Sequence, residues 1–158
     1  MSSIKFQHIF QFPFESVKEA YWKIYPEKTE ILTIKPIKKQ IKNSEIFTRR
    51  LFIVKHDKLP RVLKWFVTEK ESILIEDTFY DKKSQIFTAR LRNQSFKSLF
   101  KANKVSLFYP DPQNLKSQTV LIDDSSLSLA SGLGSIGNIF TKFAVPFAHD
   151  DNKQVIYQ

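Results

Sequence analysis

Period-two alternation between apolar and polar residues, interrupted by turn residues, is the feature that most constrains how this chain folds. The first such segment runs from Ile4 to Phe12, where even positions are apolar or aromatic apart from His8 and most odd positions are polar. Successive side chains of a strand point to opposite faces, so this pattern predicts a strand with one buried face. Pro13 is expected to end the strand, because proline has no backbone N–H to donate to a sheet.

Strand-like segments recur along most of the chain and are separated by polar turns. The turns are predicted at Asn43-Ser44, Asp81–Ser84 and Pro110–Pro112. Pro36 interrupts the second segment, which predicts an edge position or a bulge at that point. The predicted strands are residues 4–12, 31–41, 45–55, 73–80, 85–91, 103–109 and 118–129.

Helical spacing appears directly after the first strand. The residues that recur at this spacing are Val17, Ala20, Tyr21 and Ile24. They predict a short amphipathic helix, which ends before Tyr25-Pro26 because the residue before a proline is disfavoured in the helical conformation. A second short helix is predicted from Arg61 to Val67, since Pro60 stands at a position where helices tolerate proline.

All three glycines lie near the end of the chain, at Gly132, Gly134 and Gly137. Their spacing matches a dinucleotide-binding turn, but only 21 residues (138 to 158) follow, too few for the further strand and acidic residue of such a site. We instead predict a short helix at about residues 131–147. Its apolar stripe consists of Leu133, Ile136, Phe140 and Phe143.

The order of these elements predicts the fold class. A chain of 158 residues fits one domain, here residues 1–158. Strands that follow one another through short turns form antiparallel sheets. We therefore expect an α+β fold with an antiparallel sheet of about seven strands and helices packed over one side.

Residues that support catalysis or metal binding do not form a recognisable site. The chain has no cysteine, which excludes disulfides, thiolate metal sites and cysteine nucleophiles. The three histidines lack ligand spacing on any predicted helix, and His8 is expected to be a satisfied core residue. Glu76 and Asp77 are neighbours on a strand and face opposite sides, so they cannot share a proton. We expect no enzyme, metal site or cofactor.

The chain is strongly basic, with a formal net charge of +9, and basic residues concentrate between Lys35 and Lys64. Such a chain favours nucleic acids, anionic lipid surfaces or acidic proteins. Arg49-Arg50 lies in an otherwise apolar strand, so at least one guanidinium must emerge among apolar side chains and needs an anionic partner. Trp65-Phe66 beside lysines indicates either a membrane interface or stacking on single-stranded nucleic acid.

Four segments, taken in order, resemble the PRELI-like proteins of the mitochondrial intermembrane space. The segments are Val17–Trp22 with Tyr25-Pro26, Thr48–Phe52, Lys58-Leu59-Pro60 with Trp65 and Phe66, and Ile75–Asp81. The similarity covers about residues 4 to 130. It implies a curved antiparallel sheet with helices across one side, which together enclose an apolar lipid pocket.

The resemblance also implies a function. Members of this family carry an anionic phospholipid, phosphatidic acid or phosphatidylserine, between the two mitochondrial membranes. They work in the intermembrane space, reach it without a cleavable presequence, and act with a small helical partner protein that has paired Cys-x9-Cys motifs. Lipid transfer requires an apolar cavity, because about 30 methylenes of two acyl chains each favour leaving water by about 0.8 kcal/mol.

The family pattern, together with the basic and aromatic residues described above, assigns roles to particular residues of this chain. Where family members have arginine before the Tyr-Pro, this chain has Ile24, and that headgroup contact is expected to move to Lys23. The expected headgroup-binding residues are Lys55, Lys58, Lys142, Lys23 and Arg50. Trp65 and Phe66 are expected to contact the membrane. The expected lid over the pocket is formed by Leu133, Ile136, Phe140 and Phe143.

Two alternatives to the carrier hypothesis stay open. One is a basic nucleic-acid-binding domain that uses Trp65 and Phe66, whereas the carrier hypothesis expects no nucleic-acid partner. The other is a regulatory family member that binds the helical partner but transfers no lipid. Lipid that copurifies with the protein distinguishes a carrier from the first alternative, and transfer between liposomes distinguishes it from the second.

Overall fold

The computed structural model describes residues 2–24, 31–55 and 71–131, and within these ranges the chain forms seven strands and one helix. The helices predicted at Arg61–Val67 and at about residues 131–147 lie outside the described residues, apart from Ser131. The same applies to several predicted site residues, namely Lys58, Trp65, Phe66, Lys142, Leu133, Ile136, Phe140 and Phe143.

The seven strands form one antiparallel sheet in the order β1-β7-β6-β5-β4-β3-β2. The elements are β1 (Ser2–Phe10), α1 (Phe14–Ile24), β2 (Ile31–Lys42), β3 (Glu45–Lys55), β4 (Glu71–Asp81), β5 (Ile86–Asn93), β6 (Phe100–Pro110) and β7 (Thr119–Leu129). Since β1 and β2 occupy opposite edges, the chain crosses the sheet between them, and α1 lies on this crossing. The predicted α+β class and the number of strands are confirmed.

Three local features of the sheet and its turns follow from single residues. β2 is an edge strand, and its register with β3 shifts between Pro36 and Lys38, so both structural consequences predicted for Pro36 are present. Asn43 has φ of 55° in the two-residue turn between β2 and β3, a conformation that asparagine tolerates better than most residues. Gln85 has φ of 53°, which is why β5 begins at Ile86 rather than at the predicted residue 85.

The side chain of Asn93 bridges the turn between β5 and β6 with three hydrogen bonds. Its amide nitrogen donates to the carbonyl oxygens of Ser95 (2.7 Å) and Phe100 (3.0 Å). Its oxygen accepts from the backbone N–H of Ala102 at 2.8 Å. These bonds satisfy backbone groups in the parts of β5 and β6 where apolar and polar residues no longer alternate. Both strands therefore extend beyond their predicted ends.

Helix α1 covers one side of the sheet, which we call the inner face; the opposite side is the outer face. Phe14, Val17 and Tyr21 are buried against aromatic and aliphatic side chains of β1, β5, β6 and β7. Their partners in this core are Phe10, Phe87, Ala89, Phe108 and Leu121. The alternation predicted for β1 holds from Phe6 to Phe10, where the even positions are buried or half-buried and the odd positions are exposed. It fails at both ends, because Ile4 is 40% exposed and Phe12 lies beyond the strand and is 52% exposed. His8 is half-buried, with its ring 4.4 Å from that of Phe10.

Candidate functional site

A buried ion pair lies at the contact between α1 and the inner face. Arg50 of β3 and Glu76 of β4 are directly opposite each other, with exposed fractions of 8% and 0%. Arg50 donates to Glu76 Oε1 from Nε (2.8 Å) and Nη2 (2.6 Å), and the Tyr21 hydroxyl donates to Oε2 at 2.5 Å. The Arg50 guanidinium also stacks over Trp22 at 4.4 Å. The cluster therefore fastens α1 to two strands.

This cluster confirms that a buried arginine requires an anionic partner, and that partner is supplied by the chain itself. Burial raises the pKa of Glu76, and the positive charge of Arg50 and the hydrogen bond from Tyr21 oppose that rise. An anionic ligand that bound Arg50 would have to compete with Glu76 at close range. The role of Arg50 in headgroup binding stays a prediction.

The outer face carries a second cluster around Asp77. Arg49 donates to its two carboxylate oxygens at 2.6 and 2.9 Å, and Arg92 lies 3.0 Å from one of them. The hydrogen bond from Arg49 is the main cause that lowers the pKa of Asp77, with Arg92 adding to it. Glu76 and Asp77 have different partners on opposite faces, which confirms that they cannot act as a catalytic pair.

The inner face extends beyond the part that α1 can cover. An 11-residue helix is about 16 Å long, whereas an 11-residue strand such as β6 or β7 spans about 36 Å. Phe52 and Leu127 are 1% and 5% exposed and lie outside the core that α1 forms. Leu74 and Leu91 are partly buried on the same face. This part of the sheet is therefore apolar well beyond the helix.

A second ion pair also lies on the inner face, between β6 and β7. Lys104 Nζ is 3.6 Å from Asp123 Oδ2, and both side chains are largely buried. Asp123 is opposite Phe6 on one side and Ser106 on the other. The inner face thus combines an apolar surface with two charged pairs, neither of which the sequence analysis identified as a pair.

The structure places three of the predicted headgroup residues, and it does not bring them all together. Lys23 is exposed in the last turn of α1, and Lys55 is exposed at the end of β3, in register with Glu71. Arg50 lies five residues before Lys55, so the two side chains point to opposite faces and are separated by about 17 Å along the strand. The other predicted site residues lie outside the described ranges.

Sequence reasoning missed Tyr21 and Glu76 as partners of Arg50. Tyr21 was part of an apolar helical stripe, and Glu76 was considered only beside Asp77. A signal was present, because Glu76 occupies an inward position of a predicted strand, as Arg50 does, although Asp123 and Lys104 also lie on the inner face. Matching inward residues of opposite charge would have placed Glu76 among the candidate partners of Arg50, without selecting it over Asp123.

The described residues contain no helix that is long and apolar enough to span a membrane. Within the same ranges, no group of three or more histidine, aspartate or glutamate side chains is arranged to hold a metal ion.

Comparison with known proteins gives one family and a consistent fold. The sequence pattern of the PRELI-like family matches residues 15–151. The UPS-like protein C36.10 of Schizosaccharomyces pombe is 25% identical over 142 residues, which cover 87% of this chain and 76% of that protein.

Two solved structures show the same fold at low sequence identity. The 18 kDa protein CC1736 from Caulobacter crescentus has a TM-score of 0.58 and 13% identity, covering 97% of this chain and 90% of its own. Norcoclaurine synthase from Thalictrum flavum has a TM-score of 0.55 and 9% identity, and the match covers 99% of this chain and 87% of that protein. At these identities the likeness concerns the fold alone. The family match spans most of the sequence and includes all four segments of the resemblance, and the chain belongs to the PRELI-like family.

Proposed function

We propose that this protein binds an anionic phospholipid, phosphatidic acid or phosphatidylserine, on the inner face of its sheet and carries it between mitochondrial membranes. Membership of the PRELI-like family is the observation that carries the proposal, since it supports a general lipid-binding role. The proposed setting is the mitochondrial intermembrane space, and the proposed partner is the small helical protein with paired Cys-x9-Cys motifs.

The acyl chains are assigned to the apolar part of the inner face beyond α1, near Phe52, Leu74, Leu91 and Leu127. Each methylene that leaves water contributes about 0.8 kcal/mol, so a carrier must offer an apolar surface comparable with that of the bilayer. The lid proposed for this surface consists of Leu133, Ile136, Phe140 and Phe143.

The headgroup is assigned to lysines at the rim of the sheet. A phosphate is bound most strongly by cationic donors, whose hydrogen bonds are about twice as strong as neutral ones. Lys23 and Lys55 are exposed at the ends of α1 and β3, and Lys58 and Lys142 complete the proposed set. Arg50 is proposed to contribute less to headgroup binding, because its guanidinium already donates two hydrogen bonds to Glu76. Trp65 and Phe66 are proposed to contact the donor membrane.

Two neighbouring residues of β4 provide a matched test of this assignment. Leu74 lies on the inner face and Ile75 on the outer face, and both are partly buried. Leu74→Trp should lower the amount of phosphatidic acid that the protein extracts from liposomes by about tenfold, the effect of displacing about two methylenes. Ile75→Trp should leave extraction nearly unchanged, with thermal unfolding as the check on both folds.

Equal extraction by the two variants would place the acyl chains elsewhere. Extraction without any transfer to acceptor liposomes would favour a regulatory, non-transferring member of the family. Absence of lipid from every form of the protein, with nucleic acid in its place, would favour the alternative of a nucleic-acid-binding domain.

A further inference from the structure

The outer face of β2–β5 concentrates positive charge. Residues that are directly opposite one another in an antiparallel pair point to the same side, so the pairing registers give two rows across these four strands. The first row is Lys38, Arg49, Asp77 and Arg90, and the second is Lys35, Leu51, Ile75 and Arg92. The rows contain five cations and one carboxylate, a net charge of +4 (5 − 1).

Within these two rows the carboxylate does not offset the charge, and the row Lys42, Glu45, Asp81 and Ile86 on the same face adds one cation and two carboxylates. Asp77 is shared between Arg49 and Arg92, and its lowered pKa keeps it ionised at neutral pH. Lys35, Lys38 and Arg90 are exposed. Their positive charge is therefore presented to solvent on the side of the sheet opposite α1.

Exposed apolar side chains lie beside these rows. Phe79 is 53% exposed in β4, and its ring centroid is 5.0 Å from that of Phe47 in β3. Ile86 at the start of β5 is 40% exposed on the same face. An exposed aromatic residue among cations is typical of surfaces that rest in the headgroup region of a bilayer.

We propose that this outer basic patch (Lys35, Lys38, Phe47, Arg49, Phe79, Arg90 and Arg92) docks the protein on an anionic membrane surface. Lysine and arginine bind lipid phosphates, while the exposed side chain of Phe79 enters the boundary between headgroups and acyl chains. The proposal rests on the carrier function and extends it, because it names the surface that holds the carrier at a membrane between transfers.

A bilayer suits the patch better than single-stranded nucleic acid does. Binding of unpaired bases requires open ring faces on which the bases stack. The ring of Phe47 packs against Phe79, and the Arg49 guanidinium lies over it at 5.7 Å. Contact with a bilayer requires only an exposed apolar side chain and nearby cations, and the patch offers both.

Flotation with phosphatidylcholine vesicles, with and without phosphatidylglycerol, tests the proposal. Phosphatidylglycerol is anionic but is not the proposed cargo, so docking is measured separately from lipid extraction. The test variant is Lys38→Glu with Phe79→Ser. The control is Lys116→Glu with Leu115→Ser, which makes the same change of charge at an exposed lysine and removes an apolar side chain that is 63% exposed in the β6–β7 turn.

The patch variant should bind phosphatidylglycerol vesicles about tenfold more weakly than the control variant, and added salt should weaken binding of the unmodified protein. The patch variant should still extract phosphatidic acid when it collides with vesicles in solution. This result separates docking from cargo binding. Equal vesicle binding by the two variants would overturn the proposal. So would a patch variant that loses binding of a single-stranded oligonucleotide while keeping vesicle binding.

Discussion

Glu76 carries a carboxylate with no exposed surface, and burial of such a charge costs several kcal/mol unless it is partnered. Arg50 and Tyr21 supply three hydrogen bonds to it, one from the helix and two from the neighbouring strand. At the scale of single residues, this cluster explains how a basic side chain is accommodated in an otherwise apolar strand. It gives Arg50 a structural role, and a direct role of Arg50 in lipid binding stays a prediction.

Replacement of Arg50 is expected to destabilise the fold strongly. Arg50→Met leaves Glu76 buried without its cation and should lower the free energy of unfolding by about 3–5 kcal/mol, measured by urea denaturation. Arg50→Met combined with Glu76→Leu should recover much of this loss. Lys5→Met, which removes a cation from an exposed pair with Asp124, should cost less than about 1 kcal/mol.

A different result would change the assignment of Arg50. If Arg50→Met keeps the stability of the unmodified protein but extracts much less phosphatidic acid, Arg50 is a headgroup residue and its bond to Glu76 is secondary.

Asp77 should make stability depend on acid pH. Its pKa in the folded protein lies below its ordinary value near 3.9, because Arg49 and Arg92 favour the charged form. Between the folded and unfolded pKa values of Asp77, the unfolded chain therefore binds more protons than the folded protein. The stabilisation is present above about pH 4 and is lost as the pH falls through the folded pKa.

The measurement compares the unmodified protein with Asp77→Asn by denaturation at several pH values. At neutral pH the variant should be less stable than the unmodified protein. The difference between their free energies of unfolding should narrow as the pH falls below about 4. A gap that stays constant down to acid pH would show that the arginines do not hold Asp77 in its charged form.

At the scale of elements, the strands and turns were largely predictable because their signals are local. The alternation of β1, the turn at Asn43-Ser44 and the bulge near Pro36 each depend on a few adjacent residues. The extension of β5 and β6 was not predictable in this way, since it depends on contacts of Asn93 with residues on both sides of a turn.

The contact between Arg50 and Glu76 has a longer range. Its register joins β3 to β4, and the connection between these strands, residues 56–70, is too long for turn geometry to fix the pairing. The sequence therefore predicted the need for an anion beside a buried arginine, but it did not predict which anion. The resemblance to the family predicted individual site residues but not the contacts between them.

The C-terminal segment should act as a lid on the lipid site. Its three glycines each lower helix stability by about 1 kcal/mol relative to alanine, so we expect the segment to open easily. Truncation after Ala130, whose N–H still bonds the carbonyl of Leu99 at 2.9 Å, should abolish lipid retention and raise binding of an apolar dye. The far-UV circular dichroism of the sheet should remain.

Truncation after Ala148 is the matched control, because it removes the end of the chain but keeps Leu133, Ile136, Phe140, Phe143 and Lys142. Loss of lipid in both truncated forms would show that the proposed lid residues do not retain the lipid. Loss of the sheet signal after truncation at Ala130 would make the segment part of the core instead of a lid.

At the scale of the whole molecule, one sheet has two chemically different faces. The inner face carries the apolar surface, α1 and both buried ion pairs, whereas the outer face of β2–β5 carries a net positive charge with exposed Phe79. The net charge of +9 predicted an anionic partner in general, but only the strand order shows which basic residues share a face. This arrangement fits a carrier that holds lipid on one side and is attracted to membranes on the other.

Mass spectrometry of lipid bound to the full chain tests the central claim most directly. The protein is incubated with liposomes that contain phosphatidylcholine, phosphatidic acid and phosphatidylserine in equal amounts, separated from them, and extracted. We expect phosphatidic acid or phosphatidylserine to be enriched over phosphatidylcholine, in a constant ratio to protein across preparations. Bound lipid in the proportions of the liposomes, or no bound lipid, would contradict the account.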